Sequence, residues 1–446
     1  MKKIEYSEHF TYGKLLRCSL PSIGNMLVLM SFQVVDGFFV SNLLGVMPYS
    51  SVTLIYPVFM VLQAVGYMFG AGSSALISRK LGAGQKEQAN EIFTMSVMTL
   101  LAVGVLLAAG ASLLMPSLAR LVGATENTME NCILYGRTLM YFLPAFLLNC
   151  AFQTLWIAAG KPGLGLCVSL VYGVGNAFLD WLLMSVFEMR VDGAALATSI
   201  AAAVSATITI IYFLRDNKTP LRFSEVHFRT LKEITGMLYN GSSEMVEGIA
   251  GNFTAMLTNR QLIRYVSEVG VAANGVFNNV LGLFTSVYFG ISTTTVSIAG
   301  YKVGQKDRDE LNSLLKTTVI LNFALGAVIS AATVLLSETF ASIFLGYDRE
   351  ACDLATNVLR IGSIACLFYG FDIVTSSFFT GIGDGTASAV VAAMMALIMP
   401  IATIYLIPYL FGAQAIWFCV PVNTIGAAIV CAAFIRFRYP KRLAKL

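Results

Sequence analysis

Carboxylates inside long apolar segments are the residues of this sequence that could carry chemistry. Asp36 lies nine residues before Gly45, and Asp180 lies eight residues before Glu188. If each segment is a membrane-spanning helix, a rise of about 1.5 Å per residue puts both acids roughly 12–14 Å below its outer end. A charge at the bilayer centre costs about 2.5–3.5 kcal/mol, so it persists where it has a partner or a task. Two unpaired carboxylates repel each other, and a bound cation or a shared proton would relieve that repulsion.

Two neutral oxygen-bearing residues are expected at the same depth. Asn176 lies four residues before Asp180 and therefore shares its helical face. Thr198 lies about 9 Å into the next segment, which starts at Asp192. Together with Asp36 these residues offer oxygen ligands, which suit a hard ion such as Na⁺ better than a soft metal. For Asn176 or Thr198 taken singly, an ordinary packing hydrogen bond explains the residue at least as well.

A second group of acids lies deeper in the apolar segments of the second half. Glu244 and Glu247 are three residues apart and share a helical face. Glu247 precedes Arg260 by thirteen residues and Asp372 follows Arg360 by twelve, which gives depths of about 20 and 18 Å. Transporters hold substrate near the midplane, so these three acids are candidate substrate-binding residues. A buried polar network that fastens helices together is the alternative.

The composition indicates that most of the surface faces lipid. Of 446 residues, 57% are hydrophobic and 12% charged, about half the roughly 25% charged residues of a soluble domain. The eight cysteines form no CxxC pair, which predicts structural thiols. The two histidines lie in polar stretches, so no histidine metal site is expected. The motifs GxxxxGK[ST], HExxH and GxSxG are missing, which disfavours an enzyme.

Twelve apolar segments are long enough to span a bilayer, which takes about 20 residues. The first is too long for the core of a signal peptide, so no cleavable signal is expected. The longest polar stretch, Arg215–Lys232, predicts a division into an N-terminal six-helix bundle (1–214), a linker (215–235) and a C-terminal six-helix bundle (236–446). The segments lie near 15–43, 51–77, 92–115, 134–159, 164–187, 193–214, 236–262, 271–298, 314–336, 358–381, 388–411 and 413–435.

The two halves share an internal repeat. Phe69–Lys86 (FGAGSSALISRKLGAGQK) resembles Phe289–Lys306 (FGISTTTVSIAGYKVGQK), and each closes the second long segment of its half. Duplicated halves in an apolar chain are typical of transporters with one path between two bundles. Most of the 29 Lys and Arg residues fall on the side of the termini, which predicts that both termini are cytoplasmic. Six spans in each half make the repeats parallel.

Pro21 lies inside the first segment. A proline within a helix removes one backbone hydrogen bond and favours a kink. A first helix that bends at Pro21 and carries Asp36 could couple ion binding to a change of shape. An ordinary proline of a membrane helix explains the residue equally well.

The chain resembles the multidrug and toxic compound extrusion (MATE) family over nearly its whole length. The resemblance rests on Pro21 followed by DGFFVSNLLG from Asp36, on GNAFLDWLLM with Asn176 and Asp180, and on DGAALATS with Thr198. It implies a V-shaped pair of six-helix bundles that exports organic cations in exchange for Na⁺ or H⁺. The family's amino-terminal cation site maps onto these four polar residues. Some members also use carboxylates in the second bundle.

From the residues and the resemblance we predict an all-α inner-membrane antiporter. It would export cationic or amphiphilic organic compounds, with Na⁺ or H⁺ as the coupling ion and no other cofactor. It would act as a monomer in the lipid bilayer without a nucleic-acid partner. The alternative is a flippase of a lipid-linked substrate, which would be expected to have a more cationic cavity. A membrane-embedded enzyme would need a nucleophile or metal ligands beside the acids.

Overall fold

The computed structural model describes residues 6–227, 232–346 and 348–445, and the regular structure in these ranges is helical. The predicted all-α fold is confirmed. Within the described ranges, seven α-helices form the first half: α1 (Tyr12–Leu44), α2 (Val46–Gly82), α3 (Lys86–Leu121), α4 (Glu126–Tyr141), α5 (Leu143–Ala158), α6 (Pro162–Asp180) and α7 (Val191–Leu214). Nine form the second: α8 (Lys232–Tyr265), α9 (Glu268–Gln305), α10 (Arg308–Leu335), α11 (Ser337–Leu345), α12 (Arg349–Gly381), α13 (Gly385–Ala393), α14 (Met399–Phe411), α15 (Cys419–Ala433) and α16 (Tyr439–Leu443).

The helices agree with the twelve predicted spans. Among the described residues, ten helical stretches are long and apolar enough to cross a membrane, and α4 with α5 adds an eleventh. The remaining predicted span is α8, which is long enough at 34 residues but carries Glu244, Glu247 and several amide and hydroxyl side chains. α8 packs against α2 of the first half and against α13, so part of its surface faces protein rather than lipid.

The fourth predicted span, near 134–159, consists of two helices. α4 ends at Tyr141, α5 starts at Leu143, and the two helices meet at a 61° bend. Pro144 lies in the first turn of α5. Proline has no N–H to donate and disfavours helical backbone in the residue before it, so the helix breaks there. The short helix α11 was also not anticipated.

The polar stretch between the halves packs on the first half. The backbone N–H of Arg222 donates to the Asn90 side chain at 3.1 Å, and that of Ser224 donates to the Thr94 hydroxyl at 3.0 Å. The ring of Phe223 lies 5.1 Å from that of Phe93. Residues 215–227 therefore belong structurally with α3. Part of the predicted linker, residues 228–231, lies outside the described residues.

The two halves meet at the end of the molecule that carries the chain termini, through the repeated segments. A Cβ atom on Gly72 of α2 would lie 2.0 Å from the carbonyl oxygen of Met237 in α8, and one on Gly304 of α9 would lie 2.0 Å from that of Arg79. The hydroxyls of Ser74 and Ser297 are 2.9 Å apart across the same contact. Backbones that approach this closely leave no room for a passage, so this end is closed.

Contacts between the halves extend inward to mid-depth. The side chain of Met30 in α1 would meet a Cβ on Gly282 of α9 at 2.3 Å, and Ala64 of α2 would meet one on Gly248 of α8 at 3.1 Å. α1 is one continuous helix across Pro21, which is buried. The helix does not break at Pro21. The predicted kink there stays a prediction.

Candidate functional site

Three helices of the first half bring the predicted cation-site residues to one place. α1 supplies Asp36, the last turn of α6 supplies Asn176 and Asp180, and α7 supplies Thr198. Directly after Asp180 the backbone widens into a π-helix, Trp181–Val186. Such turns are rare and are found frequently at functional sites. The sequence shows no residue signature for this turn.

Hydrogen bonds and close approach connect all four residues. The amide nitrogen of Asn176 donates to the Thr198 hydroxyl at 3.2 Å, and that hydroxyl donates to the Ala194 carbonyl oxygen at 3.0 Å. The carboxyl groups of Asp36 and Asp180 face each other, with the Thr198 hydroxyl beside Asp36. The matched depths in the sequence therefore correspond to contact in space.

The two carboxyl groups have little to neutralise them. Asp180 is 0% exposed. Within the described ranges, both of its oxygens and Oδ1 of Asp36 lack a hydrogen-bond partner. No Lys or Arg in those ranges forms an ion pair with either acid. Two carboxylates cannot donate to each other, so burying both in ionised form is costly. One bound cation or one proton would relieve this arrangement, and its oxygen ligands fit either.

A cavity of about 260 Å³ opens beside the pair. Asp36, Asn176 and Thr198 line it, whereas Asp180 lies behind its wall. Four tyrosines and three further amide side chains also line the cavity: Tyr56, Tyr67, Tyr135, Tyr172, Gln63, Asn149 and Gln153. Tyrosine rings can attract an organic cation through their faces. Our sequence-based prediction did not include these residues, although amides and tyrosines inside apolar segments were an available signal.

The second half has a larger cavity of about 440 Å³. Glu247 of α8 lines it together with three asparagine side chains, Asn274, Asn278 and Asn423. Glu244 lies close enough to Glu247 for their charges to interact. One carboxylate among neutral amides can attract a cation and also offer hydrogen bonds to a polar compound.

The third predicted acid of this half, Asp372 of α12, lies elsewhere. It is 0% exposed and does not line the cavity. The Cys431 thiol lies beside its carboxyl group. Tyr369 lies within electrostatic reach of both Glu247 and Asp372. Because Asp372 does not line the cavity that Glu247 lines, the three acids do not form one compact site. Their role in binding substrate stays a prediction.

The MatE family model matches the chain twice, over residues 21–182 and over residues 245–406. The two matches fall one in each half. This agrees with the repeat that the resemblance of Phe69–Lys86 to Phe289–Lys306 predicts.

Curated relatives extend over most of the chain. It is 24% identical over 443 residues to the multidrug export protein MepA of Staphylococcus haemolyticus, covering 98% of this chain and 96% of that protein. It is 26% identical over 370 residues to the probable multidrug resistance protein YoeA of Bacillus subtilis, covering 81% of this chain and 77% of that protein.

Solved structures match the whole fold. One is the outward-facing conformation of a multidrug resistance MATE family transporter, with a TM-score of 0.92, 23% identity and 100% of both chains covered. Another is a MOP superfamily transporter from Pyrococcus furiosus, described as having a binding pocket of reverse polarity, with a TM-score of 0.90, 22% identity and 99% of both chains covered. At this identity the likeness establishes the fold alone.

Proposed function

The chain belongs to the MatE family, and we propose that it is a secondary antiporter that exports cationic or amphiphilic organic compounds in exchange for Na⁺ or H⁺. The names of MepA and YoeA support multidrug efflux. The protein is a multi-pass membrane protein. We place it in the inner membrane as a monomer, with both termini in the cytoplasm because Lys and Arg concentrate on that side.

The observation that carries the proposal is the buried pair of acids beside a cavity. Asp180 is enclosed and Asp36 reaches the cavity wall. A coupling ion between them would neutralise the pair and draw Asp36 away from the cavity. Without that ion, Asp36 is a free negative charge for a cationic compound. Ion and substrate would then compete for one carboxylate, and such competition would couple their movements in opposite directions.

The second-half acids would contribute to binding substrate. Glu247 offers a negative charge at the wall of the 440 Å³ cavity, with Glu244 close by. Asp372 would add negative potential from behind that wall. The contacts between the halves lie on the side of the termini, while both cavities lie at or beyond mid-depth. In the proposed orientation this state would receive the coupling ion and release substrate on the outer side.

A flippase of a lipid-linked phosphorylated substrate is the weaker alternative. A phosphate group would need Lys or Arg in the cavity. Neither cavity has a Lys or Arg among its lining residues in the described part of the chain. The acids and tyrosines that are present favour a cationic compound instead.

Transport by purified protein in vesicles tests the proposal. A fluorescent organic cation is loaded, and a Na⁺ gradient, a H⁺ gradient or neither is imposed. We expect accumulation or release of the dye against its own gradient with one of the two ions. Dye movement that ignores both gradients would reject the antiport.

The orientation is tested separately. A cysteine placed at Asp216 should react with a membrane-impermeant reagent only from the cytoplasm; reaction from outside intact cells would reverse the orientation.

A further inference from the structure

Two charged residues of the second half hold the chain that precedes α1. We call residues 6–11 the N-terminal strap. Lys302 of α9 is 1% exposed, and its Nζ donates to the carbonyl oxygen of Ser7 in the strap at 3.0 Å. A buried lysine needs such an acceptor, because leaving its charge without one is costly. The strap thus supplies a contact that Lys302 requires.

Glu310 of α10 uses both of its carboxyl oxygens on the strap. Oε1 accepts from the backbone N–H of Phe10 at 3.0 Å, and Oε2 lies 2.8 Å from Nδ1 of His9. The Phe10 ring is 0% exposed and packs in a cluster with residues of the second half, including Leu311 and Phe378. Charge, backbone and apolar contacts therefore all fix the strap to the second half.

Beyond its contacts with α1, which directly follows it, the strap reaches α5 of the first half through Tyr6. The hydroxyl of Tyr6 donates to the carbonyl oxygen of Ile157, near the end of α5. The ring of Tyr6 lies 5.6 Å from that of Tyr301 in α9, on the second half. Tyr6 thus bridges the two halves at the end where Ser74 meets Ser297.

From this geometry we propose that the strap is a latch across the closed terminal end, with Lys302 and Glu310 as positioning residues that hold Tyr6 against Ile157. The inference rests on the proposed antiport, since it concerns the step in which the halves part at this end. The contact with the second half consists of several buried interactions. The hydrogen bond from Tyr6 to Ile157 joins the strap to α5 of the first half, so opening that separates α5 from α9 breaks the latch there.

Distances between spin labels at the terminal end test the latch directly. One label is placed at Glu87, an exposed residue at the start of α3, and one at Asp309, an exposed residue at the start of α10. The eight native cysteines are first replaced in a chain that keeps the wild-type melting temperature. Tyr6→Phe removes only the bridging hydroxyl. Tyr12→Phe is the matched control, since Tyr12 is 46% exposed and belongs to α1 just beyond the strap.

The expected result is a larger population of separated labels in Tyr6→Phe. Loss of one net hydrogen bond changes the ratio of open to closed molecules by roughly 2- to 10-fold. Glu310→Ala should shift the ratio further, while Glu310→Gln should shift it less, because glutamine still accepts from the Phe10 N–H. If the strap only stabilises the second half, these variants would have a lower melting temperature, but the distance between the labels would not change. Equal distance distributions in Tyr6→Phe and Tyr12→Phe would overturn the latch.

The distance measurement needs no substrate and no ion gradient, so it separates the latch from the proposed function. If the labels separate in Tyr6→Phe but wild-type vesicles show no ion-driven efflux, the latch stands and the antiport fails. If efflux follows an ion gradient and the labels do not respond to Tyr6→Phe, the antiport stands and the latch fails.

Discussion

The two halves of this protein share a fold but arrange their acids differently. In the first half, Asp36 and Asp180 come from different helices and face each other beside a cavity. In the second, Glu247 lies on a cavity wall while Asp372 is enclosed in the packed core. The first arrangement creates repulsion that one cation relieves. The second spreads negative charge over a wider region without forming such a pair.

The backbone around these sites is repeated even though the chemistry is not. The fifth predicted span of each half contains a π-helix, Trp181–Val186 in the first and Met394–Ile398 in the second. Asp180 precedes the first π-helix and Ala393 precedes the second. Both halves therefore have the same helix followed by a π-helix. The acid directly before the π-helix is present in the first half only, and this acid makes that position a candidate ion site.

The largest effect is expected from Asp36→Asn, which removes one charge of the pair with almost no change in size. Gradient-driven efflux should fall by about tenfold or more, since a lost contact to a charged group is worth about 1.5–3 kcal/mol. Equilibrium binding of a cationic compound should also weaken, because Asp36 is one of its proposed charge partners, but less than efflux, because Glu247 in the second cavity is untouched. Both are measured on one preparation in vesicles. Undiminished efflux would move the coupling role to the second half and reverse the comparison.

A moderate effect is expected from Glu247→Gln. Binding of cationic compounds should weaken by about fivefold, on the order of 1 kcal/mol for a partly wetted charge contact. Binding of a neutral compound should not change. Asp372→Asn is the comparison variant: it should weaken cation binding less, because Asp372 does not line the cavity. Calorimetric titration measures all three proteins, and equal losses for cationic and neutral compounds would favour a purely structural role for Glu247.

The smallest effect is expected from Thr198→Val, which keeps the side-chain shape and removes one neutral oxygen. The apparent affinity for the coupling ion should fall about threefold, as for loss of one ordinary hydrogen-bonding group, with the maximal efflux rate retained. Thr209→Val in the same helix is the control, because Thr209 likewise donates to the carbonyl oxygen four residues earlier, that of Ser205. Identical ion titrations for the two variants would remove Thr198 from the site.

The sequence predicts that Asp36 and Asp180 lie at one depth, because depth along a helix follows directly from residue spacing. Asp36 lies nine residues before Gly45, and Asp180 lies eight residues before Glu188. These similar spacings predicted that the two acids lie at the same depth. Direction around the helix axis is harder to infer. Asp372 is near the predicted midplane, but the packing of α12 against α15, through Phe371 and Cys431, turns it away from the cavity.

Features that depend on packing between distant segments could not be predicted. Nothing in the types of residues 6–11 indicates that they bind Lys302 and Glu310, which lie about 300 positions away. The bend between α4 and α5 did have a signal in Pro144, but a proline alone does not distinguish a break from a mild kink. The π-helix after Asp180 depends on how α6 packs against α1 and α7 and has no residue pattern of its own.

The central claim is that Asp36 and Asp180 act as one site, and a double-mutant comparison tests it most directly. Gradient-driven efflux is measured in vesicles for Asp36→Asn, Asp180→Asn and the double variant. Residues of one site are not additive, so we predict that the double variant is little worse than either single variant. Losses that multiply, with each single variant retaining coupled efflux, would mean that the two acids act independently and would contradict the account.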